Sequence, residues 1–346
     1  MTTIVNVVGA RPQFIKAGPV SKALERAGVD ELLVHTGQHY DAPMSDQIMS
    51  DVGLRQPDAN LGVGSASHAV QTAKILEGVE RYLFDNEAEA VLTYGDTNST
   101  IATALAATKL GVFTAHVEAG LRSFNRVMPE EVNRVATDHI SDLLFAPTHT
   151  AMEHLRNEGL GDKSILTGDV MADALQSIDT RNVELPRWLE KPFYLATIHR
   201  AETTDDADRL RAVIDSLRAV DHPVNLLAHP RLQNRIGELG IVDGGSLHIR
   251  KPLGYAEMLA GLRASSGLFT DSGGLQKEAF ILGVPCVTIR TETEWPETLE
   301  GNWNVLAEPG SNLSPLLERK ISSTEHHPFG DGHAAERLVS SLLDRI

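Results

Sequence analysis

Short apolar runs alternate along the chain with stretches of helical period. Ile4 to Val8, Leu32 to His35, Ala90 to Tyr94, Val112 to Val117 and Leu143 to Ala146 read as strands, with helices between them. That rhythm predicts a parallel, doubly wound sheet. The pattern pauses between Val183 and Pro192, a stretch with two prolines and mixed charge. It restarts at Phe193 to Thr197, Val224 to Ala228, Leu247 to Ile249, Gly267 to Thr270 and Val284 to Ile289, so a second α/β domain follows the first. Gly332 to Ile346 carries Ala335, Leu338, Val339 and Leu342 on one helical face. It follows the turn-rich HPFGDG, from where it is expected to cross back onto the first domain. The expected division is 1–168, 169–331 and a C-terminal helix in 332–346. Two facing α/β domains leave a cleft, and ligands of such sheets bind beyond the carboxyl ends of the strands.

Length and composition agree with two soluble domains: 346 residues, 42% hydrophobic and 23% charged. A formal charge of −16 and a sequence pI near 5.3 argue against a nucleic-acid or anionic-membrane partner. The cations that meet an anionic substrate must then be gathered locally. Cys286, the single cysteine, lies in the apolar run PCVTI and reads as a buried thiol, in keeping with a reducing cytoplasm. The chain starts on a strand at Thr3, and no apolar run approaches the ~18 residues of a membrane span.

The candidate chemistry collects at strand ends. Gly267 to Thr270 runs through Asp271, Ser272, Gly273 and Gly274 straight into a helix. Two residues without Cβ, followed by the free N–H groups of a helix start, make a seat for phosphate. Glu278, about one turn further on, can accept both hydroxyls of a ribose. An ordinary strand-to-helix turn capped by Asp271 or Ser272 fits the same residues. After the first strand, GARPQFIK supplies Arg11 and Lys16 for a diphosphate, or as plain solvated cations. YGDTNST places Asp96 at a strand edge, with Asn98, Ser99 and Thr100 as possible caps of the next helix. HVEAGLR puts His116 and Glu118 on one side of a strand by its period of two, with Arg122 beyond. Pro129, Glu130 and Glu131 open a helix, as capping alone would favour. Capping does not explain three acids on adjacent loops of one sheet edge, where mutual proximity separates carboxyl pKa values for acid and base work. LATIHRAE places His199 and Arg200 at a strand end of the second domain, suited to phosphate contact or proton transfer. Gly62-Val63-Gly64 lacks the third glycine and the preceding strand of a dinucleotide fingerprint, so an NAD site has weak support. The 14 histidines show no HExxH or CxxC spacing, which leaves metal binding weakly supported too.

GARPQFIK, TGQHYD, YGDTNST, HVEAGLRS, MPEEVNR, the GDV at Asp169, TIHRAE, TDSGGLQKE and PFGDG together resemble, in order and spacing, the non-hydrolysing UDP-N-acetylglucosamine 2-epimerases. The resemblance spans nearly the whole chain. It implies a GT-B fold of two Rossmann-like domains, a UDP-sugar substrate held between them, no cofactor, no metal and commonly a homodimer. Carried onto this sequence, it implies that Arg11, Lys16, Ser272, Gly273, Gly274 and Glu278 hold UDP, with Leu253 and Met258 near the uracil. It gives Asp96, Glu118, Glu130 and His199 catalytic positions. The implied reaction inverts C2 of UDP-GlcNAc through elimination and re-addition of UDP. The loop Ser123 to Met128 is shorter than in the best-known branch, and Trp295 stands where an Arg is usual. YDAPMSDQ, from Tyr40, differs from the stretch that helps bind a regulatory UDP-GlcNAc in some members, so allosteric activation is not expected. These variants resemble members acting on UDP-2,3-diacetamido-2,3-dideoxyglucuronate, whose extra carboxylate Arg126 is able to meet, unless it is a plain solvated loop residue. A GT-B glycosyltransferase would bind the same UDP-sugar, and a nucleotide-sugar sensor would bind without turnover. The three-acid cluster sets the epimerase reading apart from the transferase, which needs at most one base.

Overall fold

The computed structural model describes residues 2–38, 42–322 and 327–346, with side chains not described for 42–45. Part of TGQHYD and of the stretch beginning at Tyr40 therefore lies outside the described residues.

The first unit runs β1 (Thr3–Val8), α1 (Arg11–Arg26), β2 (Asp30–His35), α2 (Ala42–Val52), β3 (Ala59–Asn60), α3 (His68–Asp85), β4 (Ala90–Tyr94), α4 (Asn98–Leu110), β5 (Phe113–Val117), α5 (Pro129–Ile140), β6 (Leu143–Ala146), α6 (His149–Asn157), β7 (Ser164–Leu166) and α7 (Val170–Ser177). Its strands form one parallel sheet in the order β3-β2-β1-β4-β5-β6-β7. Val5, Val7, Val34 and Val91 of the sheet pack on Ile75, Val79 and Leu83 of α3 and on Ala102 and Ala106 of α4. Alanines at every fourth place let α4 lie close to the strands.

The second unit runs β8 (Tyr194–Thr197), α8 (Ala201–Thr204), α9 (Ala207–Arg218), β9 (Val224–Leu227), α10 (Pro230–Glu238), β10 (Leu247–Arg250), α11 (Tyr255–Ala264), β11 (Gly267–Thr270), α12 (Gly273–Ile281), β12 (Cys286–Thr288), β13 (Asn304–Leu306) and α13 (Ser314–Leu317). Its sheet is parallel as well, in the order β10-β9-β8-β11-β12-β13. Successive strand residues feed two cores on opposite faces. Ala196, Phe269 and Val287 join one, whereas Leu195, Leu268 and Cys286 join the other. That two-sided burial is why these strands read as unbroken apolar runs. Cys286 is buried as expected, and burial pushes its thiol up to about 12.

Three strands were not expected from the sequence: β3, β7 and β13. Each lies at a sheet edge and has only two or three residues, partly solvated, so none leaves an apolar run to read. The division of the chain also differs from the expected boundaries at 168 and 331. The first unit comprises Met1–Ile178 with His327–Ile346, and the second Asp179–His326. The reason is packing: α7 lies against α1 and against a final helix, α14 (Ala334–Leu343), which returns to the first unit. Asp169 caps α7 by accepting from the Met171 N–H at 2.8 Å, and its own N–H donates to the Phe329 carbonyl at 2.9 Å. Gly168 and Gly330, at φ +86° and +90°, pass so close that a Cβ on Gly330 would lie 3.1 Å from the Gly168 Cα. Among the described residues no helix is long and apolar enough to cross a membrane.

Helix α14 has no side-chain cap of its own, and Asp173 of α7 supplies one, accepting from Ala335 N–H at 2.8 Å and Ala334 N–H at 3.2 Å. Burial raises the Asp173 carboxyl above its ordinary value despite those donors. The folded chain thus holds a proton there that the unfolded chain releases, and this group's contribution to stability falls as pH rises through that window. Asp173→Ala is expected to cost ~1–2 kcal/mol in urea unfolding at neutral pH. Asp173→Asn, which keeps an acceptor oxygen without a buried charge, is expected to cost less and to flatten the pH dependence.

Candidate functional site

In both sheets the winding reverses between two central strands: β1 and β4 in the first unit, β8 and β11 in the second. The connections leaving such a pair diverge to opposite faces, which opens room at their carboxyl ends. Arg11 and Asp96 follow the strands of the first pair, and His199 and Ser272 to Gly274 those of the second.

In the first unit the two loops are clasped by Gln13, whose side chain is buried at the start of α1. Its Oε1 accepts from the N–H groups of Gly9 and Ala10 at 2.7 and 2.9 Å, and its Nε2 donates to the Tyr94 carbonyl at 2.7 Å. Gly9 has no alternative residue, because a Cβ would fall 2.1 Å from Ser99 Oγ and 2.2 Å from Thr36 Oγ1. Arg11 is half-buried at the first position of α1. Lys16 is buried and forms an ion pair with Glu118. Its ammonium, expected on a diphosphate, therefore sits on a carboxylate in this structure.

Glu118 departs from the period-of-two expectation. Strand β5 ends at Val117, and Glu118 turns to a left-handed φ of +70° that costs a non-glycine residue on the order of 1 kcal/mol. Its carboxylate then reaches Lys16 above Gly95, where a Cβ would lie 3.3 Å from Glu118 Oε2 and 3.5 Å from Lys16 Nζ. Asp96 follows Gly95. Its half-buried carboxylate is bound by Arg134 of α5, and its carbonyl accepts from Asn133 Nδ2 at 2.9 Å. The cap of α4 is Thr97 rather than Asn98, Ser99 or Thr100; Thr100 is its reciprocal partner. Glu130 is exposed on the first turn of α5, whereas its neighbour Glu131 is 1% exposed. Glu131 accepts from Ser123 N–H at 2.9 Å, Ser123 Oγ at 3.0 Å, Phe124 N–H at 2.9 Å and Arg134 at 2.9 Å. Of the Pro-Glu-Glu, one acid is left to meet a ligand and the other fixes the loop Ser123 to Met128.

Behind this edge lies a buried ionic chain. His116 Nδ1 is 2.7 Å from Asp138 Oδ1, Arg122 donates to Asp138 Oδ2 at 2.7 Å, and Arg122 also grips Glu158 through two bonds of 2.7 and 2.8 Å. Burial by itself would raise the Asp138 carboxyl; His116 and Arg122 overcome it and hold the group below the usual carboxylate range.

In the second unit the organiser is Asp271, fully buried at the end of β11. Its carboxylate accepts from the His199 N–H at 3.0 Å and the Arg200 N–H at 3.0 Å, and it lies 3.0 Å from His199 Nδ1. Burial would raise this carboxyl too, but the His199 ring and the two peptide N–H groups hold it low. The other edge of the His199 ring stays in solvent, its side chain 52% exposed. Ser272 is the N-cap of α12, accepting from Leu275 N–H at 3.3 Å, as the capping alternative expected. Gly274 faces open space, the nearest atom to an added Cβ being Ser272 Oγ at 3.9 Å. Gly273 is different: a Cβ there would lie 2.0 Å from Glu294 Oε1. Glu294 is itself fixed, 2.8 Å from Arg290 and 3.5 Å from Arg200. Glu278 is buried and accepts from the Tyr255 hydroxyl at 3.2 Å. Met258 belongs to the buried core on this face, with Leu253 packed half-buried against it. Trp295, buried at the position where an Arg is usual in the resembled branch, carries the Lys277 ammonium 4.0 Å above its ring.

Sequence reasoning passed over Gln13, Arg134, Asp138, Asp271 and Glu294 as parts of the site. Each acts on a partner distant in the chain, and only Asp271, beside the Ser-Gly-Gly corner, carried a local signal. Among the described residues no group of three or more His, Cys, Asp or Glu is placed to hold a metal ion.

Comparison with known proteins places the chain in a family. The family model for UDP-N-acetylglucosamine 2-epimerase matches residues 22–343. A UDP-N-acetylglucosamine 2-epimerase homolog of Methanococcus maripaludis is 43% identical over 98% of this chain and 99% of its own length. The UDP-2,3-diacetamido-2,3-dideoxy-D-glucuronate 2-epimerase of Pseudomonas aeruginosa is 42% identical over 98% and 99%. The Methanocaldococcus jannaschii UDP-GlcNAc 2-epimerase, solved in complex with UDP-GlcNAc and UDP, superposes with a TM-score of 0.91 at 36% identity, covering 99% of this chain and 100% of that one. The expected GT-B fold of two parallel-sheet units is thus the fold found. The chain belongs to the UDP-N-acetylglucosamine 2-epimerase family.

Proposed function

We propose that this chain is an isomerase that inverts C2 of UDP-GlcNAc to give UDP-ManNAc. The observation that carries the reading is the pair Asp96 and Glu118. Two carboxylates leave adjacent strand ends of one sheet, each on a different cation: Arg134 for Asp96, Lys16 for Glu118. Two carboxyl groups fixed at one sheet edge are what an acid and a base acting on opposite sugar faces require. In the forward direction one carboxylate takes the C2 proton. The C–H electron pair becomes the C1–C2 double bond as the C1–O bond breaks and UDP leaves with that bond's electrons. A second acid returns a proton to the other face of C2, and UDP adds back at C1. Glu130, exposed on the first turn of α5, the helix that carries Arg134, is the third candidate for either role. Ser272, Gly273, Gly274 and the Arg200 guanidinium supply the diphosphate grip, and Glu278 the ribose contact. Family resemblance implies Arg11 as a further cation for UDP. Family resemblance carries three further expectations: a homodimer, a cytoplasmic setting and a place in polysaccharide biosynthesis.

A second substrate is favoured by one feature. The relative acting on the diacetamido-uronate is almost as similar as the first, and Arg126 is exposed in the Ser123–Met128 loop, where it is free to meet an added sugar carboxylate. A glycosyltransferase would use the same UDP seat but has no use for exchange at C2.

Incubation with either UDP-sugar in deuterated water is expected to yield the C2 epimer carrying deuterium at C2; loss of UDP-sugar to free sugar and UDP, or no exchange with either substrate, would overturn the reading. Glu118→Gln still accepts from Lys16, so UDP affinity is expected within about twofold of native while exchange falls by ~10²–10⁴. Native turnover in that variant would take Glu118 out of the mechanism. Gly273→Ala must displace Glu294, and calorimetric titration with UDP is expected to show affinity at least about tenfold weaker, with a stability loss of ~1–3 kcal/mol.

A further inference from the structure

We propose that His116 is a positioning residue for this reaction: a buried, doubly donating imidazolium that clamps the Gly95 carbonyl and thereby sets the turn from which Asp96 projects. The proposal rests on the epimerase reading only for what Asp96 does.

His116 and Asp138 are both fully buried. The ring's Nε2 lies 2.7 Å from the Gly95 carbonyl, which has no hydrogen to give, so Nε2 must carry one. Nδ1 lies 2.7 Å from Asp138 Oδ1. That carboxylate also accepts from Arg122 and from the Gly120 N–H at 3.1 Å, an environment that keeps it ionised and acceptor-only. Nδ1 therefore donates as well, and the ring is charged. The groups that face it from the surrounding elements agree: Asp138 on α5 opposite the ring, Arg122 beyond Asp138, and Glu158 after α6 closing the chain on Arg122. On its other side is the Lys16–Glu118 pair beside Gly95.

With both ring nitrogens engaged, His116 has no lone pair with which to take a proton, so it is not a base or relay. Its work is mechanical and electrostatic. Gly95 is held at both ends by β5: its N–H donates to the Val117 carbonyl at 3.0 Å, and its carbonyl accepts from His116. Gly95 itself sits at φ +65°, a conformation with no rotational preference of its own to fix the turn. Without the ring, the peptide joining Gly95 to Asp96 can rotate, and both Asp96 and the floor beneath the Lys16–Glu118 pair shift. A misplacement of ~1 Å at reacting groups costs about 10²-fold in rate.

The test uses the full chain with 15N-labelled histidine. At pH 7.5, where an unperturbed imidazole (pKa ~6.5) is mostly neutral, one ring is expected to show protons on both nitrogens, and that signal should vanish in His116→Gln. A lone pair on either His116 nitrogen overturns the proposal. In His116→Gln, whose amide can still donate to the Gly95 carbonyl, kcat is expected to fall about tenfold, and in His116→Leu about 10²-fold. KM and UDP affinity are expected to stay within about threefold of native in both. Native kcat in His116→Gln and His116→Leu overturns the clamp. Should His116→Leu fail to fold, native kcat in His116→Gln overturns it alone. A native chain without C2 exchange would remove the epimerase reading, while the ring spectrum would still decide the clamp.

Discussion

A parallel sheet delivers every strand-to-helix loop to one edge, and only where the winding reverses do two neighbouring loops part. This constraint governs the whole chain. It acts twice, once between β1 and β4 and once between β8 and β11. Each reversal leaves backbone groups to be held at a place where no helix covers them, and each is held by one buried polar side chain. Gln13 does this in the first unit and Asp271 in the second, both by accepting from two peptide N–H groups. An amide suffices where its own NH₂ can close onto the opposite strand. A carboxylate is used where a histidine ring and the peptide dipoles at a strand end supply the compensating charge.

From these two anchors the functional side chains follow with little freedom. In the first unit β5 lies beside β4, and the register that pairs Thr93 with His116 and Tyr94 with Val117 places Glu118 next to Gly95. Helix α5 then brings Arg134 to Asp96 and Glu131 to the following loop. In the second unit, Ser272, Gly273 and Gly274 form the first turn of α12 because Asp271 has fixed the residue before them. The network that positions carboxylates is thus itself ionic and largely buried. Removing one member of such a chain leaves a buried charge unpaired, which costs more than the pair contributes.

Much of this was legible in the sequence, for reasons that also explain where it was not. Central strands buried on both faces have no choice but to be apolar throughout, so Ala90 to Tyr94 and Gly267 to Thr270 announce themselves. Edge strands such as β13 satisfy only one neighbour and carry no such signature. Motif chemistry was visible because glycine, proline and acid at fixed spacing have few local explanations. Partnership was not: nothing near Lys16 in the chain points to Glu118, 102 residues away, and nothing in TETEWPE shows that Glu294 lies over Gly273. The boundary near 178 was hidden for the same reason, since α7 belongs to the first unit through its contacts with α1 and α14 rather than through its composition.

The left-handed backbone at Glu118 has a consequence for anyone improving the protein's robustness. Glycine would adopt that conformation without penalty, and asparagine nearly so, whereas glutamate holds it at a cost while its carboxylate pairs with Lys16. A laboratory selection that rewards heat resistance alone would therefore drift toward exchanging this side chain, and with it the carboxylate that the proposed exchange uses.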